Sequence, residues 1–338
     1  MTPKEIVLAA LRHEEVRPVP YRFSWEGDVG ERMTRHYGSD EWMQHVSPHL
    51  YNGWAFDTDR KIPVDESRVR DPYGTIWRID RRPFHIETPA LSRPSLEGYA
   101  LPRPEDFQEA GQYETARKDL EAANRLFRHI NLGWGLFERL WTICGFEQSL
   151  VYMIEEEDFV NELLDRLTDL YAEMTRRALL LPVEAVHYGD DWGDQRGIIM
   201  GPALWRKYFK PRWARIFGIV KDAGKITICH SCGSVADIIP DLIEIGLDVL
   251  ESVQPEPEGM NPYELKRRFG KNIAFMGGLG SQYLLPFGTP AEITAEVRRL
   301  TREMGREGGY ILSPAKAMQP ETPTENAVAA FEAFRNQA

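Results

Sequence analysis

The chain has 338 residues, with 41 Lys+Arg against 52 Asp+Glu for a formal net charge of −11. That excess repels phosphate backbones and anionic lipid, which sets nucleic acid and membrane aside as partners. No apolar run approaches the roughly 20 residues of a membrane span, and charges interrupt the apolar positions of the opening MTPKEIVLAALRHEEVRPVP, so a cytoplasmic protein without a signal peptide is expected.

The first predicted element is a helix with a Thr2–Glu5 capping box and Pro3 at its first position, leaving through RPVPYRF into a strand. From about 29 to 103 the text is rich in Trp, Tyr, Pro and Asp, carries turn signals such as DPYG, and shows little sustained helical period; an irregular, partly β insertion is expected there. RHINLGWG (Arg128 to Gly135) is a short apolar strand ending in glycines, and the stretch after it has the apolar spacing of a long helical hairpin. Beyond it strands and helices alternate. AVHYGDD precedes PALWRKYFKPRWARIFGIVKDAG, KITICHSC precedes VADIIPDLIEIG, and VLESVQP precedes NPYELKRRFG. NIAFMGGLG precedes TPAEITAEVRRLTREMG, and GYILSPAK precedes a terminal helix from Thr324. Helix starts are marked by Pro202, Asn261 with Pro262, Thr289 with Pro290, and Thr322 with Pro323. Successive βα units imply a parallel sheet, and without a G-x-G-x-x-G loop a distorted (β/α)8 TIM barrel is preferred to an open doubly wound sheet. The expected organisation is one α/β domain over 1–338, with an irregular N-terminal insertion and regular βα units over 185–338.

A barrel keeps its active site at the C-terminal ends of its strands. The residues there are polar: Trp134; Tyr188, Asp190, Asp191, Trp192 and Arg196; His230 and Cys232; Glu251 and Gln254; Gly277 and Gly278; Ser313, Lys316 and Gln319. Alternation along a strand turns His230 and Cys232 to one face and Cys229 and Ser231 to the other. An imidazole and a thiolate on one face are two ready zinc ligands, with an open position left for water or substrate. The three cysteines, Cys144, Cys229 and Cys232, leave an odd thiol, which argues for reduced thiols rather than a disulfide framework. Alternatives stand beside these readings: Cys229-x-x-Cys232 as a redox pair, Asp190 and Asp191 as helix caps, Gly277-Gly278 as a tight turn.

GDDWGDQRG, HSCGSVADIIPDLIEIGLDVLESVQPEPEGMNPYELKRRFG, FMGGLGSQYLLPFGTP and GGYILSPAKAMQPETPTEN, in that order, resemble the uroporphyrinogen decarboxylase superfamily, and DPYGTIWR (Asp71 to Arg78) extends the likeness weakly toward the N-terminus. The resemblance implies a distorted (β/α)8 barrel and two chemistries. Decarboxylases of the superfamily remove acetate carboxyls from a porphyrinogen without cofactor, holding them with an RQAGRY-type arginine segment; here that region reads YRFSWEGDVGERM, although Asp57 or Asp59 fits the place of the family's aspartate. The zinc enzymes move methyl groups between a corrinoid carrier and an acceptor such as a thiol, or serve O-demethylation, using an H-x-C pair and a later cysteine. His230 and Cys232 match the pair, but SPAKA puts Lys316 where the later cysteine belongs, leaving Glu251, Gln319 or an aspartate of GDDWGDQRG as third ligand, or Lys316 as a replacement for the metal's charge.

The expectation is therefore a zinc methyltransferase of the O-demethylase type. His230 and Cys232 hold the metal; Asp190, Asp191 and Lys316 serve catalysis; Trp134, Tyr188, Trp192, Arg196, Gln254, Gly278 and Gln319 bind substrate. No D-x-H-x-x-G corrinoid loop occurs, so the corrinoid is expected on a separate partner protein, with a homodimer as an open assembly. The alternatives are a cofactor-free porphyrinogen decarboxylase and a non-catalytic barrel binding an anionic ligand.

Overall fold

The computed structural model describes residues 1–337. In chain order the strands are β1 (Leu50–Gly53), β2 (Ile62–Pro63), β3 (Arg68–Arg70), β4 (Ile76–Arg78), β5 (His85–Thr88), β6 (Phe127–Trp134), β7 (Ala185–Gly189), β8 (Ile226–His230), β9 (Val249–Val253), β10 (Ala274–Leu279) and β11 (Tyr310–Pro314). A seven-stranded sheet in the order β1-β6-β7-β8-β9-β10-β11 is parallel throughout. The extended segment around Tyr21 supplies the missing stave. Arg22 N donates to Leu312 O at 3.0 Å, Leu312 N to Pro20 O at 2.9 Å, and on the other side Phe23 N donates to Val46 O at 2.7 Å. The strand expected from RPVPYRF thus closes a distorted (β/α)8 barrel between β11 and the approach to β1.

Strand parity grades the barrel interior. Inward residues near the start of each strand (Leu50, Phe127, Ala185, Ile228, Val249, Ala274, Ile311) form an apolar layer plugged from below by Val7 of the helix Pro3–Leu11. One step up, the inward positions become His129, His187 and Glu251. The floor is oily and the mouth polar, so ligand chemistry belongs at the C-terminal end.

Three sequence expectations change. Residues 29–103 do not form one insertion: Val29–Tyr37 is a helix, and Leu50–Gly53 is a barrel strand in register with Phe127–Ile130. Four residues paired across a long sequence separation leave no periodicity to read. The remaining excursion is a four-stranded antiparallel sheet, β2-β3-β4-β5. Its DPYG turn is tied by Asp71, whose Oδ1 accepts from Tyr73 N and Thr75 N at 3.0 Å and whose Oδ2 accepts from Trp77 Nε1 at 2.9 Å. Thr75 Oγ1 donates to Thr142 O at 2.8 Å, fastening the sheet to the helix Leu136–Cys144. The expected hairpin after β6 is three helices, Leu136–Cys144, Phe146–Glu155 and Glu157–Leu179, interrupted at Gly145 (φ 89°) and Glu156. The helix from Pro202 breaks into Pro202–Tyr208 and Lys210–Asp222, because Pro211 has no N–H to continue the ladder.

Candidate metal centre at the barrel mouth

At the end of β8, His230 and Cys232 point together into a mouth cavity of about 570 Å³. His230 Nε2 lies 3.3 Å from Cys232 Sγ and 3.6 Å from Asp191 Oδ1. Among the described residues, these three side chains form the group of His, Cys and acidic donors close enough to share a metal ion, with one ligand atom from each lying within 4.8 Å of the others. A tetrahedral zinc site with ordinary bond lengths separates S and N by about 3.6 Å and N and O by about 3.4 Å. The donor set therefore fits zinc with little movement. Asp191 is the acidic side chain grouped with His230 and Cys232, Glu251 lies outside that group, and Gln319 does not line the cavity.

Glu251 stands on the far side of the imidazole, its Oε2 3.7 Å from His230 Nδ1. A carboxylate there favours the proton on Nδ1 and leaves Nε2 as the ligand atom. Glu251 is held in turn by His187 Nε2, 2.5 Å from Oε2 in a contact that is not an aligned hydrogen bond, and by Arg22 Nη1, 3.5 Å from Oε1. Burial alone would raise the Glu251 carboxyl, but His187, His230 and Arg22 outweigh it and hold it well below the usual carboxylate range. Burial would likewise depress the His230 imidazolium, yet Cys232 and Glu251 raise it well above the usual histidine value. A metal ion held at Nε2 would have to displace that proton.

The loop carrying Cys232 is fixed through its backbone. Cys232 N donates to Asp191 Oδ1 at 2.7 Å, Gly233 N to Gln254 Oε1 at 2.8 Å, and Ser234 N to Asp194 O at 2.7 Å. Gly233 has φ 77°, and a Cβ there would stand 2.3 Å from Gly193 O, so only glycine allows the approach. A bulge in β9 puts Ser252 at φ 71° and shifts the register between Met276 and Gly277. Its hydroxyl donates to Ala315 O at 2.6 Å and lies 3.7 Å from Cys232 Sγ.

Several expected site residues lie elsewhere. Asp190 is fully buried as a hub: Oδ2 accepts from Phe137 N, Trp192 Nε1 and Trp213 Nε1 at 3.1, 2.7 and 3.0 Å, and Oδ1 from Glu138 N at 3.0 Å. Burial pushes its carboxyl up to about 6 against the pull of those donors. It anchors the start of the helix Leu136–Cys144, and it is fully buried and does not line the mouth. Trp192 is buried beside it. Tyr188 is in the lining of the mouth, but its ring has outward parity: its hydroxyl pairs with Thr175 Oγ1 at 2.9 Å and the ring packs on Trp213 and Phe217, in the helix layer. Arg196 is exposed in a turn capped by Asp194 and does not line the mouth. Gly278 (φ 93°) makes room for Leu300 and Tyr310 behind β10, and Gln319 donates to Ala317 O. Trp134, Asp191 and Lys316 do line the cavity, and Gln254 acts on the loop.

Two mouth residues escaped the strand-end reading. Glu138 projects into the mouth from the first turn of the helix after β6, and burial, with Asp191 and Asp190 nearby, raises its carboxyl well above the ordinary range. Arg22 comes from the closing stave. The signals were the acidic residue in the first turn after LGWG and the cation in RPVPYRF, both off the strand tips.

The uroporphyrinogen decarboxylase (URO-D) family model matches residues 134–337. A uroporphyrinogen decarboxylase of Thermus thermophilus is 29% identical over 175 residues, covering 52% of this chain and 48% of its own length. The methylcobamide:CoM methyltransferase MtaA of Methanosarcina barkeri is 28% identical over 199 residues, covering 58% of this chain and 54% of its own length. The chain thus spans about half the length of the curated relatives it matches. A methyltransferase from Methanosarcina mazei superposes with a TM-score of 0.71 at 19% identity, covering 99% of this chain and 98% of its own, a likeness of fold. Among the described residues no helix is long and apolar enough to cross a membrane. With the family model matching more than half of the sequence, from the end of β6 to the last helix, the chain belongs to the uroporphyrinogen decarboxylase (URO-D) family.

Proposed function

We propose that the chain is a zinc-dependent methyltransferase, passing a methyl group between a small substrate or thiol and a corrinoid carried by a separate protein. The observation that carries this reading is the Asp191, His230 and Cys232 cluster opening onto the mouth. The MtaA relative supports it through the reaction in its name. Those three residues hold the zinc, which when bound supplies Lewis acidity and a lowered pKa for a thiol. Glu251 orients His230 through Nδ1, and Gln254 and Asp191 hold the Cys232 loop in place. Glu138, its carboxyl raised well above the ordinary range by burial, faces the mouth and is positioned to exchange a proton with a departing or arriving oxygen or sulfur. Trp25 and Trp134 exclude water at the rim, and Lys316 offers a positive charge to an anionic group.

The decarboxylase reading is disfavoured by charge. The mouth is lined by Glu26, Asp59, Glu138, Asp191 and Glu251, against Arg22 and Lys316, and Arg22 is committed to Glu251. A polycarboxylate tetrapyrrole in such a cavity would leave buried charges unpaired. An open cavity of about 570 Å³ also disfavours a catalytically silent barrel.

Elemental mass spectrometry of protein purified without chelator tests the proposal. About one zinc per chain is expected, lost in both His230→Ala and Cys232→Ala. Wild-type protein without zinc, with methyl transfer untouched by Cys232→Ala, would sink it.

A further inference from the structure

The sheet β2–β5 and the helix Leu136–Cys144 wall a second cavity of about 450 Å³, which meets the mouth at Asp59, Trp134 and Lys316. Its chemistry is the reverse of the mouth's. Trp77, Trp134 and Phe84 supply aromatic walls, with the Trp77 and Trp134 rings 6.0 Å apart edge to face. Cations outnumber carboxylates in the lining. Asp71 is spent on Tyr73, Thr75 and Trp77, and Asp59 stands at the junction with the mouth.

The decisive residue is Arg139. Only 3% exposed, its guanidinium lies 4.6 Å from the Tyr73 ring centroid and 5.4 Å from that of Trp134. Its Nε donates to the Tyr171 hydroxyl at 3.4 Å and its Nη2 to Thr58 O at 3.1 Å. Among the described residues no carboxylate stands within ion-pairing distance of it, and Nη1 has no protein acceptor. The two rings and two acceptors suffice to position a guanidinium but not to neutralise it; Asp59 acts on it only through space, and a buried charge without a contacting counterion is costly. A lining cation in that state, facing a cavity with indole walls, is matched by a carboxylate on a planar aromatic group, which satisfies the guanidinium and the walls together.

We propose that this annex binds an aromatic carboxylic acid, its carboxylate on Arg139 and its ring against the wall that Trp77, Trp134 and Phe84 form. Lys61 and Arg82, each over the Phe84 ring at 5.7 and 5.4 Å, draw the anion in at the rim. That this acid is the methyl-bearing substrate, its other end reaching into the mouth, rests on the methyl-transfer reading; the binding itself does not.

Calorimetric titration of benzoate, benzyl alcohol and cyclohexanecarboxylate into zinc-loaded and chelator-treated protein tests the annex. Benzoate is expected to bind in both states, more tightly than cyclohexanecarboxylate, and benzyl alcohol is not. Arg139→Gln is expected to weaken benzoate by about tenfold or more, the share of a charged hydrogen bond. Should that buried variant fail to fold, Phe84→Ala on the exposed wall decides, with a severalfold loss expected at an unchanged thermal midpoint. Absent benzoate binding, equal affinity for benzyl alcohol or cyclohexanecarboxylate, or benzoate affinity unmoved in the folded variants would each overturn the proposal. Benzoate binding in a chain that holds no zinc would fail the methyl-transfer reading and leave the annex standing; zinc without benzoate would do the reverse.

Discussion

Asp190→Ala is expected to lower the thermal midpoint of the metal-free protein by roughly 5–10 °C, while Asp191→Ala, one residue along, lowers it by about 2 °C or less and loses zinc affinity. The two carboxylates are neighbours in GDDWGDQRG but face different media. Asp190 is fully buried and serves four donors: two indole N–H groups and the first free amides of the helix Leu136–Cys144. Truncating it strands all four, and a buried donor without a partner costs about 1–3 kcal/mol. Partial compensation by relaxation brings the total to about 3–5 kcal/mol, the range for breaking a buried charged network. Asp190→Asn is expected to fall between, because its single amide oxygen replaces one acceptor while its NH2 faces a donor. Asp191 is a third exposed, with Oδ1 on Cys232 N and 3.6 Å from His230 Nε2. On the proposed zinc reading its loss removes a ligand, and zinc affinity is expected to fall by roughly 100-fold or more, above the range for partners outside the ligand set. Differential scanning fluorimetry and competition with a chromophoric zinc chelator separate the two effects. Equal midpoints for the two alanine variants would refute the division of labour.

That contrast marks what could be read from the sequence. The βα alternation after residue 185 was legible because each strand is a short buried run and each helix begins at a proline or a capping residue. Strand parity brought His230 and Cys232 to one face, and the structure has them 3.3 Å apart. The same parity, applied to AVHYGDD, turns His187 and Gly189 inward and the Tyr188 ring outward, so Tyr188 borders the mouth while its hydroxyl pairs in the helix layer. Asp190 and Asp191 lie past the strand end, where the chain leaves the pleat and alternation no longer says which side chain meets solvent. Arg139 and Glu138 project from a helix, so no reading confined to strand tips reaches them. β1 is four residues of LYNG whose identity as a strand depends on Phe127–Ile130, far along the chain, and local pattern carries no trace of such a pairing. The bulge at Ser252 is likewise a tertiary effect, since the Ser252 hydroxyl donates to Ala315 O, just past the end of β11.

Glu251→Gln is expected to weaken zinc binding by about 10–100-fold without abolishing it, and the size of the loss identifies what Glu251 does. As a carboxylate it accepts charge from three sides: His230 Nδ1, His187 Nε2 and Arg22 Nη1. A glutamine keeps the volume but offers one acceptor and turns an NH2 toward either the imidazoles or Arg22. The His230 ring then loses the partner that fixes its proton on Nδ1, and Nε2 becomes a poorer ligand. Arg22 and His187 are left with less compensation at the centre of the barrel, so Glu251→Ala is expected to cost stability as well. Were Glu251 itself a metal ligand, Glu251→Gln would match Cys232→Ala in zinc content. An intermediate affinity with the Asp191, His230 and Cys232 donors intact points instead to an orienting carboxylate behind the imidazole. Chelator competition on Glu251→Gln, Cys232→Ala and the double variant decides between them, because an orienting group and a ligand acting through one metal cannot contribute additively once the metal is gone.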